Sequence, residues 1–459
     1  MSPKYIQEFD VSTTPLDKDE LRVLERLVEA AKLMGLVYQL QLDSKEKAIF
    51  YPKDATRAEI EKAAASNDQI LSPFTVVERS RDGKLVAIPY HIKYKDQLTP
   101  IAEKLQEAAQ ITHNKQFANA LRVQAKALMD GSYDKAQITW MKIKSFIIQI
   151  VIGPIEAVED DMFFVKRAYE AWVGIMDQDF TNRAISFRNT VFSSRRLSTN
   201  GEKLDVAGKA QIRVDYVVVA TGHKAKHKFT AATLPNDIDI IEKYGTETTI
   251  FLSSVREVFN KRHYPLFKAI FERQFMKSFT EADLRRGYVY LIGMHEIGRV
   301  LLRYRFALSR LKELYPIFSE LTYEAAAIKL CGSLLLKDAI SQKEMESILV
   351  LFLTRIFDYY FERKDDPTAR VYVLGNAILL NSLISSGALQ ISANGISWPN
   401  FTKMFIAVSN LADQMEKILA EGTYKDAEHA LKKYSSLTIF KQFQPVFDKM
   451  KLKRYNIQL

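Results

Sequence analysis

The stretch that decides the fold spans residues 140–170 and reads WMKIKSFIIQIVIGPIEAVEDDMFFVKRAYE. Its apolar run, residues 146–158, is shorter than the roughly 20 residues that a helix needs to cross a bilayer. The β-branched residues at 150–152 predict a buried strand, and we expect Gly153 and Pro154 to end it. The chain is therefore expected to have a sheet in its interior.

Further strands are predicted on both sides of this segment. Residues 74–79 and 85–89 are rich in strand-forming side chains and flank an Asp-Gly turn, which is typical of a hairpin. Residues 216–220 and 248–252 add two more strand patterns. The first half of the chain is thus expected to mix strands and helices.

Helices dominate elsewhere in the sequence. Residues 18–40 have leucines at helical spacing behind Asp17, a suitable N-cap, and residues 98–129 continue the same periodicity. The second half of the chain is almost wholly helical in its apolar pattern. We therefore predict an α+β fold with a mixed α/β lobe over residues 1–255. A mainly helical lobe is expected over residues 256–459, with its C-terminal part free to pack back on the first lobe.

The composition predicts a globular protein without a nucleic-acid partner. Of the 459 residues 47% are apolar, and 65 basic against 55 acidic side chains give a net charge of +10 that is spread along the chain. The densest basic stretch, residues 223–228, contains His223, His227 and three lysines. We expect a solvated loop there, although two histidines four positions apart would chelate a metal on a helix.

Compartment and cofactors follow from what the sequence contains. Cys331 is the single cysteine, and its apolar neighbours predict a buried thiol. The N-terminus has acidic residues and no apolar block of a secretory signal, so we predict a cytoplasmic protein.

Residues 371–389 are long enough to span a membrane but include asparagines and serines, so we predict an interior segment and no membrane partner. No Gly-x-Gly-x-x-Gly sequence occurs, and no cofactor is predicted.

A possible site lies within residues 288–304. His295-Glu296-Ile297-Gly298-Arg299 falls in an apolar helical pattern, so positions 295 and 299 share one helix face. In a His-Glu-x-x-His helix, this spacing directs two imidazoles at one zinc ion and leaves the glutamate as general base. A single His-Glu pair on an apolar helix is more often structural. The other histidines that lack companions at ligand spacing are expected at the surface or at helix caps: His91, His113, His263 and His429.

Sequence beyond this helix resembles the dipeptidyl-peptidase III family. Residues 140–170 are similar to its smaller members, and to the peptidase-like domains fused to Nudix hydrolases, in which a strand ends in an Ile-Gly-Pro-x-Glu-x-x-Glu-Asp segment. The resemblance extends over about residues 51–434. Other similar segments follow in the family's order at residues 234–237, 295–296, 311–315, 381–389 and 422–424.

The resemblance implies a fold and a set of site residues. The fold is two-lobed, with a cleft between a mixed lobe containing a small β-barrel or sheet and a mainly helical lobe that carries zinc. His295 matches the first zinc ligand and Glu296 the general base. Glu320 falls where the third ligand belongs, and Glu324 is near a supporting acid position.

Three positions depart from the family pattern. Arg299 stands where the second histidine is expected, and a guanidinium, which only donates and stays protonated, would repel a zinc ion. The family also has a transition-state histidine, with an arginine two positions later, where this chain has Tyr372 and Leu374. We therefore predict no metal and no ordinary peptidase activity. Arg299 is expected to neutralise Glu296 and Glu320 through a fork of hydrogen bonds, and the alternative is that it extends to solvent.

These departures leave three hypotheses for function. In the favoured one, the cleft performs metal-independent acid-base chemistry on a small molecule, as an isomerase, lyase or cyclase. In the second, a pseudoenzyme holds a peptide or protein partner in the cleft without turnover. In the third, two ligands retain a residual zinc-dependent hydrolase. For the first, we predict catalytic roles for His295, Glu296, Arg299 and Tyr372, and substrate binding by Glu320 and Glu324.

Overall fold

The computed structural model describes residues 4–143, 146–157, 159–194, 203, 207–226, 229–363, 370–392 and 395–449. The strands in these ranges are β1 Ile6–Glu8, β2 Thr75–Arg79, β3 Leu85–Pro89, β4 Ile148–Glu156, β5 Ala168–Met176, β6 Ala210–Gly222, β7 Ala231–Leu234, β8 Thr246–Phe251, β9 Ile391–Ser392 and β10 Gly395–Ile396. The helices of the first half are α1 Lys18–Leu40, α2 Arg57–Ser66, α3 Tyr90–Lys93, α4 Lys95–Ile111, α5 Lys115–Asp130, α6 Tyr133–Trp140, α7 Gln178–Ser194, α8 His223–Lys226 and α9 Ile238–Tyr244. Those of the second half are α10 Leu252–Val258, α11 Tyr264–Ile270, α12 Arg273–Met276, α13 Glu281–Leu301, α14 Ala307–Leu311, α15 Tyr315–Leu335, α16 Gln342–Arg363, α17 Arg370–Ser385, α18 Phe401–Glu421, α19 Tyr424–Tyr434, α20 Thr438–Gln442 and α21 Gln444–Lys449.

Six strands form the main sheet. Their order is β4-β5-β6-β8-β7, and β1 pairs with β6 off this path. All of these pairs are antiparallel except β6 with β8. The long strand β6 joins the sheet together, because residues 210–215 pair with β8 and residues 219–221 pair with β1. The remaining strands form two hairpins, β2 with β3 and β9 with β10.

Local sequence signals place several of these elements where we expect them. Helix α1 begins after Asp17, whose carboxylate accepts from the backbone N–H groups of Asp19 and Glu20, while Glu20 accepts from the N–H of Asp17. The predicted hairpin is confirmed by β2 and β3. The expected end of β4 is wrong, since the strand continues through Gly153 and Pro154. Strand β4 is an edge strand, where a proline without an N–H is tolerated.

Helix α13 lies at the centre of the helical part. Thr280 caps its first turn by accepting from the N–H of Asp283. Helices α15 and α16 pack along it. Gly287 permits the close approach of α16, because a β-carbon there would lie 2.9 Å from the backbone carbon of Ser347. The C-terminal helix α18 packs on α15, and α19 packs on α17.

The apolar cores confirm an α+β fold. One core joins α1, α4 and α5 to strands β4 and β5. Another fills the helical part and continues onto α7, β6 and β8 through Phe187, Ile212 and Ile250. This core contains residues from both sides of residue 255. The lobe boundary that we drew at residue 255 therefore stays a prediction. Within the described ranges, no helix combines the length and apolar character that crossing a bilayer requires.

The described part of the basic stretch, residues 223–226, is not the solvated loop that we expected, and residues 227 and 228 lie outside the described residues. Residues His223–Lys226 form the short helix α8, and Lys224 and Lys226 are only 5% and 8% exposed. Carboxylates distant in sequence make this burial possible, since Lys226 Nζ lies 3.1 Å from Glu159 Oε2 and Lys224 Nζ lies 3.4 Å from Glu170 Oε1. The chelation hypothesis is not tested, because His227 lies outside the described residues.

Two other predictions concern single buried side chains. Cys331 is fully buried, as predicted, and burial raises the pKa of its thiol. The prediction that His263 lies at the surface or at a helix cap is wrong. His263 is 2% exposed, and its Nε2 atom lies 3.1 Å from Asp358 Oδ2. The pairing carboxylate is on α16, far along the chain, which explains why the sequence did not show it.

Candidate active site

Helices α13 and α15 bring three of the predicted site residues into contact. The Nε2 atom of His295 lies 3.5 Å from Oε2 of Glu320. The other ring nitrogen, Nδ1, lies 3.4 Å from Oε1 of Glu324. The two glutamates are four positions apart, so they project from one face of α15 toward α13. The imidazole is thus held between two carboxyl groups.

His295 is a neutral base in this setting. It is 7% exposed, and burial together with the positive charges of Arg355 and Arg299 lowers the pKa of its imidazole well below the usual value. The ring of Tyr323 contacts it edge-on, with centroids 6.1 Å apart. A neutral imidazole keeps one lone pair, which can accept a proton or a hydrogen bond.

Glu320 has a strongly altered acidity. Burial raises the pKa of its carboxyl to about 7, although the attraction of Arg299 opposes this change. Glu296 and Glu324 raise this pKa further by repulsion. At neutral pH the carboxyl therefore exists in both protonation states, which is the condition under which a side chain best donates or accepts a proton.

Glu324 is committed to an ion pair that the sequence analysis missed. Arg355 of α16 places Nη2 2.6 Å from Glu324 Oε1, and the two side chains are 8% and 9% exposed. The sequence did contain one indication of this pair. Arg355 is a charged residue inside the apolar run of α16, and an arginine in such a run needs a buried partner. Arg355 fixes the carboxylate that contacts His295.

Tyr372 reaches this network through a second tyrosine. Its ring stacks on that of Tyr359, with centroids 5.1 Å apart and planes 6° from parallel. The hydroxyl of Tyr359 accepts a hydrogen bond of 3.2 Å from Arg355 Nη2. Tyr372 also lies within electrostatic reach of Arg299. The structure therefore places Tyr372 beside the site.

Glu296 connects the helical part to the sheet. The hydroxyl of Thr233 on β7 donates to Glu296 Oε2 at 2.6 Å, and it lies 2.8 Å from the hydroxyl of Thr248 on β8. Glu296 is 6% exposed, so the threonine replaces a water contact that the carboxylate loses on burial. Thr233 is a second contact of the site that the sequence analysis did not identify.

Arg299 is near two carboxyl groups but touches neither. Burial opposes its charge, yet the attraction of Glu296 and Glu320 outweighs burial and raises the pKa of its guanidinium. No carboxylate of the described residues lies within the 4.0 Å of an ion pair with it. The fork of hydrogen bonds that we expected from Arg299 to Glu296 and Glu320 is therefore not formed. The two carboxyls attract the guanidinium over a distance longer than that of an ion pair. The side chain is partly buried.

The side chains of this site do not fit the zinc ion that the family resemblance implies. A zinc site in a hydrolase needs three protein ligands and an open position. His295 and Glu320 supply two adjacent donors, but the position one turn along α13 holds Arg299, which has no lone pair to offer. Across the described part of the chain, no three His, Cys, Asp or Glu side chains are arranged to hold a metal ion.

Comparisons with known proteins show what this chain is similar to. Residues 11–194 match the sequence profile of peptidase family M49. The fold is similar to that of DPP III from Caldithrix abyssi, with a TM-score of 0.84, 24% identity and 96% of both chains covered. It is also similar to dipeptidyl-peptidase III from Corallococcus sp. strain EGB, with a TM-score of 0.78, 22% identity, and 96% of this chain and 92% of that chain covered.

A plant protein gives a further sequence match. The chain is 25% identical over 366 residues to Nudix hydrolase 3 of Arabidopsis thaliana, which covers 77% of this chain. The chain spans only 46% of the length of that relative. These matches confirm the resemblance predicted from the sequence. The chain thus has the two-lobed α+β fold of the dipeptidyl-peptidase III structures, and its residues 11–194 resemble peptidase family M49 in sequence.

Proposed function

We propose that this protein performs metal-independent acid-base chemistry on a small molecule, in a cleft beside α13. The observation that carries the proposal is the guanidinium of Arg299 in the position that the resemblance assigns to a zinc-binding histidine. A permanent positive side-chain charge within reach of Glu296 and Glu320 replaces the attraction that a metal ion would exert on those carboxyls.

The proposed reaction moves a proton between two positions of one substrate. Glu296 takes a proton from a carbon next to a carbonyl group, and Arg299 stabilises the negative charge that develops on the carbonyl oxygen. Glu320, with its pKa of about 7, returns a proton to the substrate. His295 contacts Glu320 at 3.5 Å and can relay that proton. Isomerases and lyases share these steps, so the proposal covers both classes.

The remaining predicted residues have less direct roles. Glu324 is bound to Arg355, so we assign it to positioning His295 rather than to binding substrate. Tyr372 is stacked on Tyr359, and we assign it to the wall of the site beside the catalytic groups. In this assignment Glu320, Glu296, His295 and Arg299 act on the substrate, and α16 supports them.

An untargeted turnover experiment tests the proposal. The purified protein is incubated with a small-molecule cell extract in the presence of a metal chelator, and mass spectrometry follows compounds that disappear. We expect one compound to be converted to an isomer or to lose or gain a small neutral molecule. The Glu320→Gln variant is expected to lose this conversion, whereas Glu428→Gln, at an exposed side chain of α19, keeps it.

The other hypotheses predict different outcomes. If no compound is consumed, the protein is a pseudoenzyme and the proposal fails. If conversion is lost with the chelator and returns with zinc, a metal completes the site and the proposal also fails.

A further inference from the structure

A π-helical turn, Phe259–His263, joins α10 to α11. Such turns are rare and frequently occur at functional sites. The last two residues of this turn contact one carboxylate of α16. Arg262 Nη2 lies 2.6 Å from Asp358 Oδ1, and His263 Nε2 lies 3.1 Å from Asp358 Oδ2. Two adjacent residues of the turn therefore bind the two oxygens of one acid.

Asp358 is a charged residue in the interior of the helical part. It is 6% exposed, and burial acts to raise the pKa of its carboxyl. The attraction of Arg262 and the contact with His263 outweigh burial and lower this pKa to about 2. Because the carboxylate only accepts hydrogen bonds, the imidazole donates its Nε2 proton to it. Asp358 is therefore the point at which the π-turn holds α16.

The same helix reaches the active site one turn earlier. Asp358 and Arg355 are three positions apart within α16, so their side chains leave neighbouring turns of one helix face. Arg355 Nη2 lies 2.6 Å from Glu324 Oε1, and this oxygen lies 3.4 Å from Nδ1 of His295. Displacing α16 would therefore pull Arg355 away from the carboxylate that contacts His295.

The π-turn also contacts the helix that carries His295. The ring of His263 meets that of Tyr288 edge-on, with centroids 4.5 Å apart, and Tyr288 is 2% exposed. Tyr288 lies seven positions before His295 within α13, which is two helical turns along the same face. His263 is thus packed between α13 and α16, the two helices that present His295 and Arg355.

We propose that Arg262, His263 and Asp358 are positioning residues of the active site, which hold α16 so that Arg355 keeps Glu324 against His295. The inference rests on the proposed function for its effect on turnover. Its effect on the surroundings of His295 does not require turnover. A merely structural role would change the stability of the protein and leave the surroundings of His295 unchanged in the folded variants.

Nitrogen NMR of the full chain with labelled histidine, at one neutral pH, tests this inference, and His295→Gln identifies the signals of His295. His263→Phe keeps a ring against Tyr288 but removes the N–H that Asp358 accepts, so we expect both ring-nitrogen signals of His295 to shift. His263→Gln offers an amide N–H to Asp358 and should restore the wild-type positions. For the compound consumed in the turnover experiment, His263→Phe should lower kcat by about tenfold or more with little change in KM, because His263 does not touch the substrate.

His113→Phe is the matched control, since His113 Nε2 lies 3.0 Å from Asp19 Oδ2 at the surface and is 84% exposed. It should leave the His295 signals unchanged. Thermal unfolding shows which variants are folded, and Arg262→Gln is read in the same way if His263→Phe does not fold. The inference is overturned if the His295 signals keep their wild-type positions in the folded variant, or if His263→Gln shifts them as much as His263→Phe does. Shifted signals without conversion of any compound would contradict the proposed function and leave the positioning role standing.

Discussion

The Nη2 atom of Arg355 lies 2.6 Å from Oε1 of Glu324, and both side chains are more than nine-tenths buried. This ion pair joins α16 to α15, and the same carboxylate oxygen lies 3.4 Å from Nδ1 of His295 on α13. One buried pair therefore connects the three helices that form the site. Its loss should affect both the stability of the helical part and the position of the imidazole.

Replacing Arg355 with methionine is expected to lower the free energy of unfolding by about 3–5 kcal/mol, because the Glu324 carboxylate then remains buried without a partner. Urea unfolding measures the change. Lys432→Met provides the control, since Lys432 pairs with Glu428 at the surface and is 72% exposed. Removing that exposed pair should cost at most about 1 kcal/mol. Equal effects of the two substitutions would show that the Arg355 pair does not stabilise the fold.

The hydrogen bond between Thr233 and Glu296 can be tested in a similar way. Thr233→Val keeps the shape of the side chain but removes the hydroxyl that donates to Glu296 at 2.6 Å. We expect a loss of about 1.5–3 kcal/mol in the free energy of unfolding, as is usual for hydrogen bonds to charged groups. Thr233→Ser retains the hydroxyl and should lose less. A valine variant as stable as the serine variant would contradict the contact.

The buried carboxyl of Glu247 should make the free energy of unfolding depend on pH. It lines a cavity of about 270 Å³, and burial raises the pKa of its carboxyl to about 7, against the attraction of Arg213. Between its ordinary pKa of 4.5 and about 7, the folded state binds a proton that the unfolded state does not. This carboxyl therefore adds stability as the pH falls through 7, and that stability is lost as the pH rises.

The measurement compares Glu247→Gln with the wild type in urea between pH 5 and pH 8. The variant should become more stable relative to the wild type as the pH rises, by up to about 1.4 kcal/mol per pH unit. The stability of the variant is compared with that of the wild type at each pH because other groups also change the stability of both proteins. The lowered pKa values of His263 and His295, for example, make the folded state more stable as the pH rises. A difference that does not change with pH would contradict the raised pKa of Glu247.

Local patterns in the sequence predicted much of the fold. Helix α1 begins and ends where its leucine spacing and the Asp17 cap indicate, and the Asp-Gly turn marked the hairpin of β2 and β3. These elements are determined by residues close together in the chain. The helix α8 was not predicted, because the carboxylates that allow Lys224 and Lys226 to be buried are far away in sequence.

The same distinction applies to the site. Helical spacing and the family resemblance selected His295, Glu320 and Glu324, which the structure brings into contact. Neither the helical spacing nor the family resemblance identified Arg355 or Thr233. Arg355 reaches the site from α16 and Thr233 from β7, which are distant in sequence from α13 and α15 or lie in another part of the fold. Chemistry predicted that Arg299 would be attracted to Glu296 and Glu320, but the distance from Arg299 to Glu320 depends on how α13 packs against α15.

We propose that the charge of Arg299 stands in place of a metal ion, and zinc affinity tests this role most directly. Wild type, Arg299→His and Arg299→Gln are purified without added metal, and zinc content and zinc binding are measured for each. The wild type and the glutamine variant are predicted to contain little zinc. The histidine variant, which gains a third ligand, should bind zinc at least about a hundredfold more tightly. Near-stoichiometric zinc in the wild type, or no gain of affinity in Arg299→His, would contradict the account.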